Sequence, residues 1–205
     1  MFIGSTKRVN EFDESLEPAF FQKSPPECAR DLIGCRLAWK GCAGVIVETE
    51  AYAAEGDEAC HTHTRSSARQ FIADHPAGTA YVYLNYGVHW LLNFLVKGRD
   101  ADGFVLIRAL APSAGLEQMR LRRRRKKETE LCSGPGKLTQ ALGIDRSMHG
   151  MKLLDDLGVV LSRRARSVKT NTIACRRVGI SREKDRKWRF VLAGSSCLSV
   201  SPGSE

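Results

Sequence analysis

Long apolar runs are missing from this 205-residue chain. The most apolar stretch, residues 90–96, is interrupted by Asn93. It falls far short of the roughly 20 residues that a bilayer-crossing helix needs. The opening Met1-Phe2-Ile3-Gly4 lacks the apolar run, about 7–15 residues, of a secretory leader. A soluble intracellular protein without membrane attachment is expected. Paired cysteine spacing is missing as well. Cys28, Cys35, Cys42, Cys60, Cys132, Cys175 and Cys197 are odd in number and never fall as C-x-x-C. Neither a disulfide framework nor a zinc module is expected, and reduced thiols fit best. Cys60-His61-x-His63 is a tight ligand set, but it would need distant partners, and no matching cluster occurs. No metal and no cofactor are expected. Acidic charge is in short supply: 32 Lys and Arg against 23 Asp and Glu leave a net charge of +9. Such an excess favours a polyanionic partner, nucleic acid ahead of membrane.

What is present is ordinary for a globular protein, 42% hydrophobic and 27% charged, which excludes wholesale disorder. The length suits one sizeable core. A single domain over 1–205 is expected, with about 1–13 as a flexible N-terminal tail; no internal repeat is evident.

The stretch that organises the chain is residues 45–61, V-I-V-E-T-E-A-Y-A-A-E-G-D-E-A-C-H. Val45-Ile46-Val47 reads as a buried strand. If it stays extended, Glu48 and Glu50 share one face with Thr49 opposite. Like-charge repulsion between them is expected to raise the proton affinity of one carboxylate. Two acids beside Tyr52 and His61 suit general-base chemistry on something flat. A strand running into a solvated acidic loop is the alternative.

Elsewhere the elements follow from local signals. Ser24-Pro25-Pro26-Glu27 starts a helix that Gly34 ends. Residues 35–39 and 45–49 form a hairpin around Lys40-Gly41. Residues 53–78 form a long polar loop punctuated by Gly56, Pro76 and Gly78. Residues 80–86 form a tyrosine-dense strand turned by Gly87, with 89–96 returning and 104–109 following the Asp102-Gly103 turn. Tyr81 and Tyr83 share a face, and Tyr86 projects the other way at the turn; tyrosines as plain strand formers remain the alternative. Arg108, after the apolar Phe104-Val105-Leu106-Ile107, is either paired to a carboxylate or aimed into a site.

Pro112-Ser113 starts a helix expected to run into 120–127, where seven of eight residues are basic. A continuous helix there repels itself unless anions sit nearby; a solvated face is the other reading. Gly134-Pro135-Gly136-Lys137 opens a helix through Leu142, ended by Gly143. It is no P-loop, because Leu138 replaces the Ser or Thr, but its N-terminus suits a DNA phosphate. Short strands are expected at 159–161, 173–175, 189–192 and 198–200. The whole reads as a mixed α/β domain with a predominantly antiparallel sheet.

Four blocks then carry a resemblance: V-E-T-E-A-Y with a downstream E-A-C-H, Y-V-Y-L-N-Y-G-V-H-W-L-L-N, V-L-I-R-A-L-x-P, and L-C-S-G-P-G-K-L. In this order, from about residue 14 to 200, the chain resembles the alkyladenine DNA glycosylase family, 3-methyladenine glycosylases of the mammalian type. The resemblance implies an α+β fold: a single mixed domain with a curved, predominantly antiparallel sheet, flanking helices and a protruding DNA-inserting β-hairpin. It implies a monofunctional enzyme, acting as a monomer wherever the DNA is kept, on double-stranded DNA containing damaged purines. By the resemblance Glu50 is the general base and Arg108 lies beside its water. Tyr52, His61 and Tyr83 wall the extruded base, Asn93 screens its edge, and the Val178 backbone contacts the water. Tyr86 fills the gap in the duplex; beside it Val88 and His89, with Arg122 and Arg124 of the basic run and Lys137 at the helix start, are expected to contact DNA. Two departures stand out: Ser67-Ala68-Arg69-Gln70 with Asp74-His75 replaces an asparagine-arginine loop, and His89 stands where tyrosine is common. The rivals are a nuclease with Glu48, Glu50 and Asp57 on Mg²⁺, a non-catalytic binding module, and a lyase using Lys97 or Lys137.

Overall fold

Helix formation begins where the capping signals put it. In the computed structural model, which describes residues 12–152, 160–164 and 169–203, α1 (Pro25–Asp31) starts at Ser24. The Ser24 side chain and the Glu27 carboxylate cap each other's backbone in a capping box, and Pro25 takes the first turn. Strand β2 (Arg36–Trp39) then turns back as β3 (Cys42–Ala53) through Lys40 and Gly41. Both turn residues have positive φ, 46° and 80°, as a two-residue primed turn requires.

Most of the remaining order is antiparallel. β4 (Ala80–Asn85), β5 (His89–Lys97) and β6 (Asp102–Ala114) follow as a meander, and β6 lies along the full length of β3. With β1 (Phe12–Ser15), β7 (Val160–Arg164), β8 (Thr172–Cys175) and β9 (Arg189–Leu192) they make a nine-stranded sheet, order β1-β7-β2-β3-β6-β5-β4. β9 joins the second half of β3, and β8 joins β9. The fold is α+β, as expected. Residues 1–11 of the expected tail lie outside the described residues, and Phe12 and Asp13 begin β1. Val159 also lies outside them.

The period of two divides the sheet into two surfaces. Thr49, Ala51, Val105, Ile107, Leu92, Phe94 and Val82 face α1 and α5 (Pro135–Leu142) and form the main core. The Thr49 hydroxyl donates to the Ala29 carbonyl of α1 at 2.8 Å. On the other surface lie Glu48, Glu50, Tyr52, Phe104, Leu106, Arg108, Asn93, Tyr81 and Tyr83. Two opposed irregularities sit between them, with Val47 extra on β3 and Arg108 extra on β6. They cancel, so the register beyond them resumes and Arg108 stays across from the acids.

Four expectations are corrected. Residues 53–78 are not one loop: α2 (His61–Thr64) and α3 (Ser66–Asp74) occupy it. α3 buries only Ala68 and Phe71, too sparse a stripe to read among polar neighbours. Pro112 does not start a helix, because β6 continues to Ala114 and Gly115 (φ 73°) makes the break before α4 (Leu116–Arg123). Proline is tolerated there because the β3–β6 register shifts beside it, between Ala43 and Gly44. The basic run is not one helix either. α4 stops at Arg123, Arg124 turns left-handed (φ 50°), and Glu117, Glu128 and Glu130 supply the anions that relieve repulsion. Residues 198–200 form no strand, for their backbone is used elsewhere. Among the described residues no helix is long and apolar enough to cross a membrane.

Candidate active site

β3, β4, β5 and β6 contribute the floor of a cavity of about 850 Å³, with α2 and residues 178–182 as its walls. Behind its lining residues Tyr52, Arg108 and Val178 lies Glu50, fully buried, which accepts a hydrogen bond from each of the three. The Tyr52 hydroxyl donates to Oε2 at 2.8 Å and Arg108 Nη1 to the same oxygen at 3.1 Å. The Val178 backbone N–H donates to Oε1 at 2.7 Å. A carboxylate offers about four acceptor sites, so one on Oε1 is left for a further donor.

Glu48 is more heavily engaged, with four hydrogen bonds. Its Oε1 accepts from Arg108 Nε (2.8 Å), Arg189 Nε (2.9 Å) and the Ser199 hydroxyl (2.6 Å), and its Oε2 accepts from the Ser199 amide (2.6 Å). Burial alone would raise its pKa, but Arg108, the two Ser199 hydrogen bonds and Arg189 together hold it below the usual value. Glu48 therefore does not trap a proton by like-charge repulsion: a guanidinium sits between the two acids. The pKa of Arg108 is raised: burial opposes it, but Glu50 and Glu48 outweigh burial.

The aromatic wall is continuous. The His61 and Tyr83 rings lie 4.3 Å apart edge to face, and Tyr81 stands 5.6 Å from Tyr83. His61 Nδ1 is 3.4 Å from the Tyr81 hydroxyl. Burial, with a smaller contribution from Arg65, pushes the His61 pKa down to about 4, so the ring is neutral at physiological pH. Burial raises the Tyr83 phenol, and burial with Glu50 raises Tyr52 well above its ordinary value. Both stay protonated, as the bond from Tyr52 to Glu50 demands. Asn93 is buried, lines the same cavity and donates from its side-chain amide to the Tyr81 carbonyl at 3.2 Å.

Above the cavity the β4–β5 hairpin ends in Tyr86 and Gly87, both at positive φ (49° and 68°). Tyr86 is 91% exposed and Val88 68%. His89, also exposed, packs against Gly136, where a Cβ would come within 2.8 Å of the ring. That contact sets the start of α5 beside the hairpin, with Pro135 at the cavity and Lys137 exposed. Arg124 is exposed, but Arg122 is not free: Nη1 donates to the Ala141 carbonyl at 3.0 Å, near the C-terminal end of α5.

Several contributors escaped the sequence. Asp57 forks onto Arg177 (2.7 and 2.8 Å), and Arg177 lies 4.7 Å from the centre of the Tyr52 ring. Arg189 carried the same signal as Arg108, an arginine abutting an apolar strand. Ser199 carried none. Arg65 and Arg182 at the rim looked like ordinary surface charge.

The sequence model of the methylpurine-DNA glycosylase family matches residues 19–196. A protein of Nitrobacter winogradskyi is 42% identical over 184 residues, covering 90% of this chain and 86% of that protein. One of Rhizobium meliloti is 43% identical over 181 residues, covering 88% and 94%. One of Rhodopseudomonas palustris is 43% identical over 184 residues, covering 90% of each. All three are named, by assignment, as 3-methyladenine DNA glycosylases. A match over nearly nine-tenths of the sequence leaves one conclusion: the chain belongs to the methylpurine-DNA glycosylase family and is a DNA glycosylase of alkylation repair.

Proposed function

We propose that the enzyme turns a damaged purine out of duplex DNA into the aromatic cavity and hydrolyses its bond to the sugar with water activated by Glu50. The observation that carries this reading is the hydrogen-bonding state of Glu50: three donors, all from residues that line the cavity, fix it, and one acceptor site on Oε1 remains. Extrusion costs a few kcal/mol of stacking and pairing. Tyr86 offsets part of it by filling the gap, and the faces of Tyr52, His61 and Tyr83 return about 1–3 kcal/mol per stacked base. Alkylated, deaminated and etheno purines are the substrate class. A base made cationic by alkylation stacks better on electron-rich rings and leaves more readily.

The chemistry is a hydrolysis. Water oxygen bonds to C1′, the bond from C1′ to the base nitrogen breaks, its electron pair leaves with the base, and Glu50 takes the water proton. Arg108 and the Val178 N–H hold the carboxylate in place, and Asn93 screens the base edge. Val88, His89, Lys137 and Arg124 engage the backbone around the lesion, with the start of α5 facing a phosphate. The protein acts as a monomer. A nuclease reading is disfavoured because Asp57, its third carboxylate, is committed to Arg177.

The test is excision from oligonucleotides that each carry one lesion, in EDTA, developed by alkali. Glu50→Gln should bind lesion DNA as well as the parent or better, since a carboxylate near phosphate is repelled. Its single-turnover rate should fall by at least ~10²-fold, as for a lost general base. Glu48→Gln should be milder. Near-normal excision by Glu50→Gln, or strand scission without alkali that EDTA abolishes, would overturn the proposal.

A further inference from the structure

We infer that Ser199, a residue past the matched family region, is a positioning residue for the hydrolysis, acting on Glu50 through Glu48 and Arg108. The inference rests on the assignment of Glu50 as base, and its own evidence is separate. The matched region ends at residue 196. Just beyond it the chain crosses over Glu48 and spends both the amide and the hydroxyl of Ser199 there. The hydroxyl also accepts from Arg108 Nη2 at 3.2 Å, and Arg189 donates to the carbonyl of the next residue, Val200.

Arg108 is thus gripped on three of its nitrogens. Nε holds Glu48, Nη1 holds Glu50 and Nη2 holds Ser199. A planar guanidinium held at Nε alone still pivots; a third contact on Nη2 fixes the plane and so the aim of Nη1. Ser199 touches neither Glu50 nor the cavity floor. Glu48, bonded to both Ser199 and Arg108, acts as the joint between the C-terminal segment and that guanidinium. The second carboxylate of the E-T-E motif is an anchor, and the segment around Ser199 is its lock.

Removing the hydroxyl deletes one acceptor for Arg108 and one donor to Glu48. The cation then holds Glu50 less firmly in the ionised form that accepts a proton. Ser199→Ala should therefore lower the single-turnover rate at saturating enzyme about tenfold, the scale of one charge-assisted hydrogen bond. It should move the acid limb of the pH profile upward by about half a unit or more, because a nearby cation favours the charged carboxylate. Binding to a lesion duplex should stay within about twofold, since no DNA contact is lost. Ser199→Thr, which keeps the hydroxyl, should restore rate and profile. Glu50→Gln is assayed alongside: if it stays active, the base assignment fails, and with it the ground for this inference. If Glu50→Gln is inactive while Ser199→Ala shows the parent rate and profile, only the role of Ser199 is overturned. A slower Ser199→Ala with an unmoved profile and a lowered melting temperature also overturns it, since that is loss of structure alone. Should Ser199→Ala not fold, Glu48→Gln must show the upward shift of the acid limb, and its absence refutes the inference.

Discussion

Tyr86→Gly should separate folding from function. The residue sits at φ 49° with 91% of its surface exposed, so it carries backbone strain and almost no burial. A non-glycine residue in the left-handed region costs about 1–2 kcal/mol. Glycine removes that cost but gives back roughly 0.5–1 kcal/mol through its freer unfolded state. The net is a gain of about 0–1.5 kcal/mol. At about 2–4 °C per kcal/mol for a chain of this size, the melting temperature should hold or rise by up to about 6 °C. Excision should move the other way. Losing one aromatic stack in the duplex, about 1–3 kcal/mol, lowers the population with an extruded base by about 5- to 150-fold. The assay pairs thermal melting with single-turnover excision on two duplexes, one with the lesion well paired and one with it mispaired. The loss should be larger on the well-paired duplex, where extrusion is harder. A fall in melting temperature of more than a few degrees would mean that Tyr86 packs in the fold. Equal losses on both duplexes would mean that it takes no part in extrusion.

The remaining predictions concern charge and burial. The folded pKa of His61, about 4, lies below its ordinary 6.5, so the unfolded chain binds the extra proton. Stability should be complete above about pH 6.5 and fall as pH drops toward 4, and His61→Gln should flatten that slope in denaturant titrations at stepped pH. Asp57→Ala strands Arg177 in the interior and should cost about 3–5 kcal/mol by urea unfolding; a loss below about 1 kcal/mol would contradict the fork at 2.7 and 2.8 Å. Arg122→Ala should lower stability by about 1 kcal/mol with little change in DNA binding, because its guanidinium serves the Ala141 carbonyl near the end of α5. Arg124→Ala should do the reverse, reducing the salt slope of DNA binding by about one with melting unchanged.

Short-range pattern made much of this molecule legible. The period of two put Glu48 with Glu50 and Tyr81 with Tyr83, and the structure joins the first pair through Arg108 and sets the second in the cavity wall. Ser24 and Gly143 marked helix ends because caps are local chemistry. What stayed hidden was separated in sequence. The partners of Glu48 lie 60, 141 and 151 residues away, so the repulsion expected from two adjacent acids could not be weighed against Arg108, Arg189 and Ser199. The polar helices α2 and α3 were missed for a related reason. Their few buried side chains pack on strands of the meander, and no local stripe marks them.

The alternation of β3 and β6 has a consequence for how such an enzyme can change. Each strand alternates a cavity side chain with a core side chain, Tyr52 beside Ala51 and Leu106 beside Ile107. Deleting or inserting one residue in either strand would turn acids toward the core and aliphatics toward the substrate. Variation in these strands is therefore confined to replacement at fixed length, and within that limit to positions whose partner across the ladder can tolerate it. The hairpin tip at 86–88 and the rim at 178–182 carry no such parity, so new substrate preferences have room to arise there by gain or loss of residues.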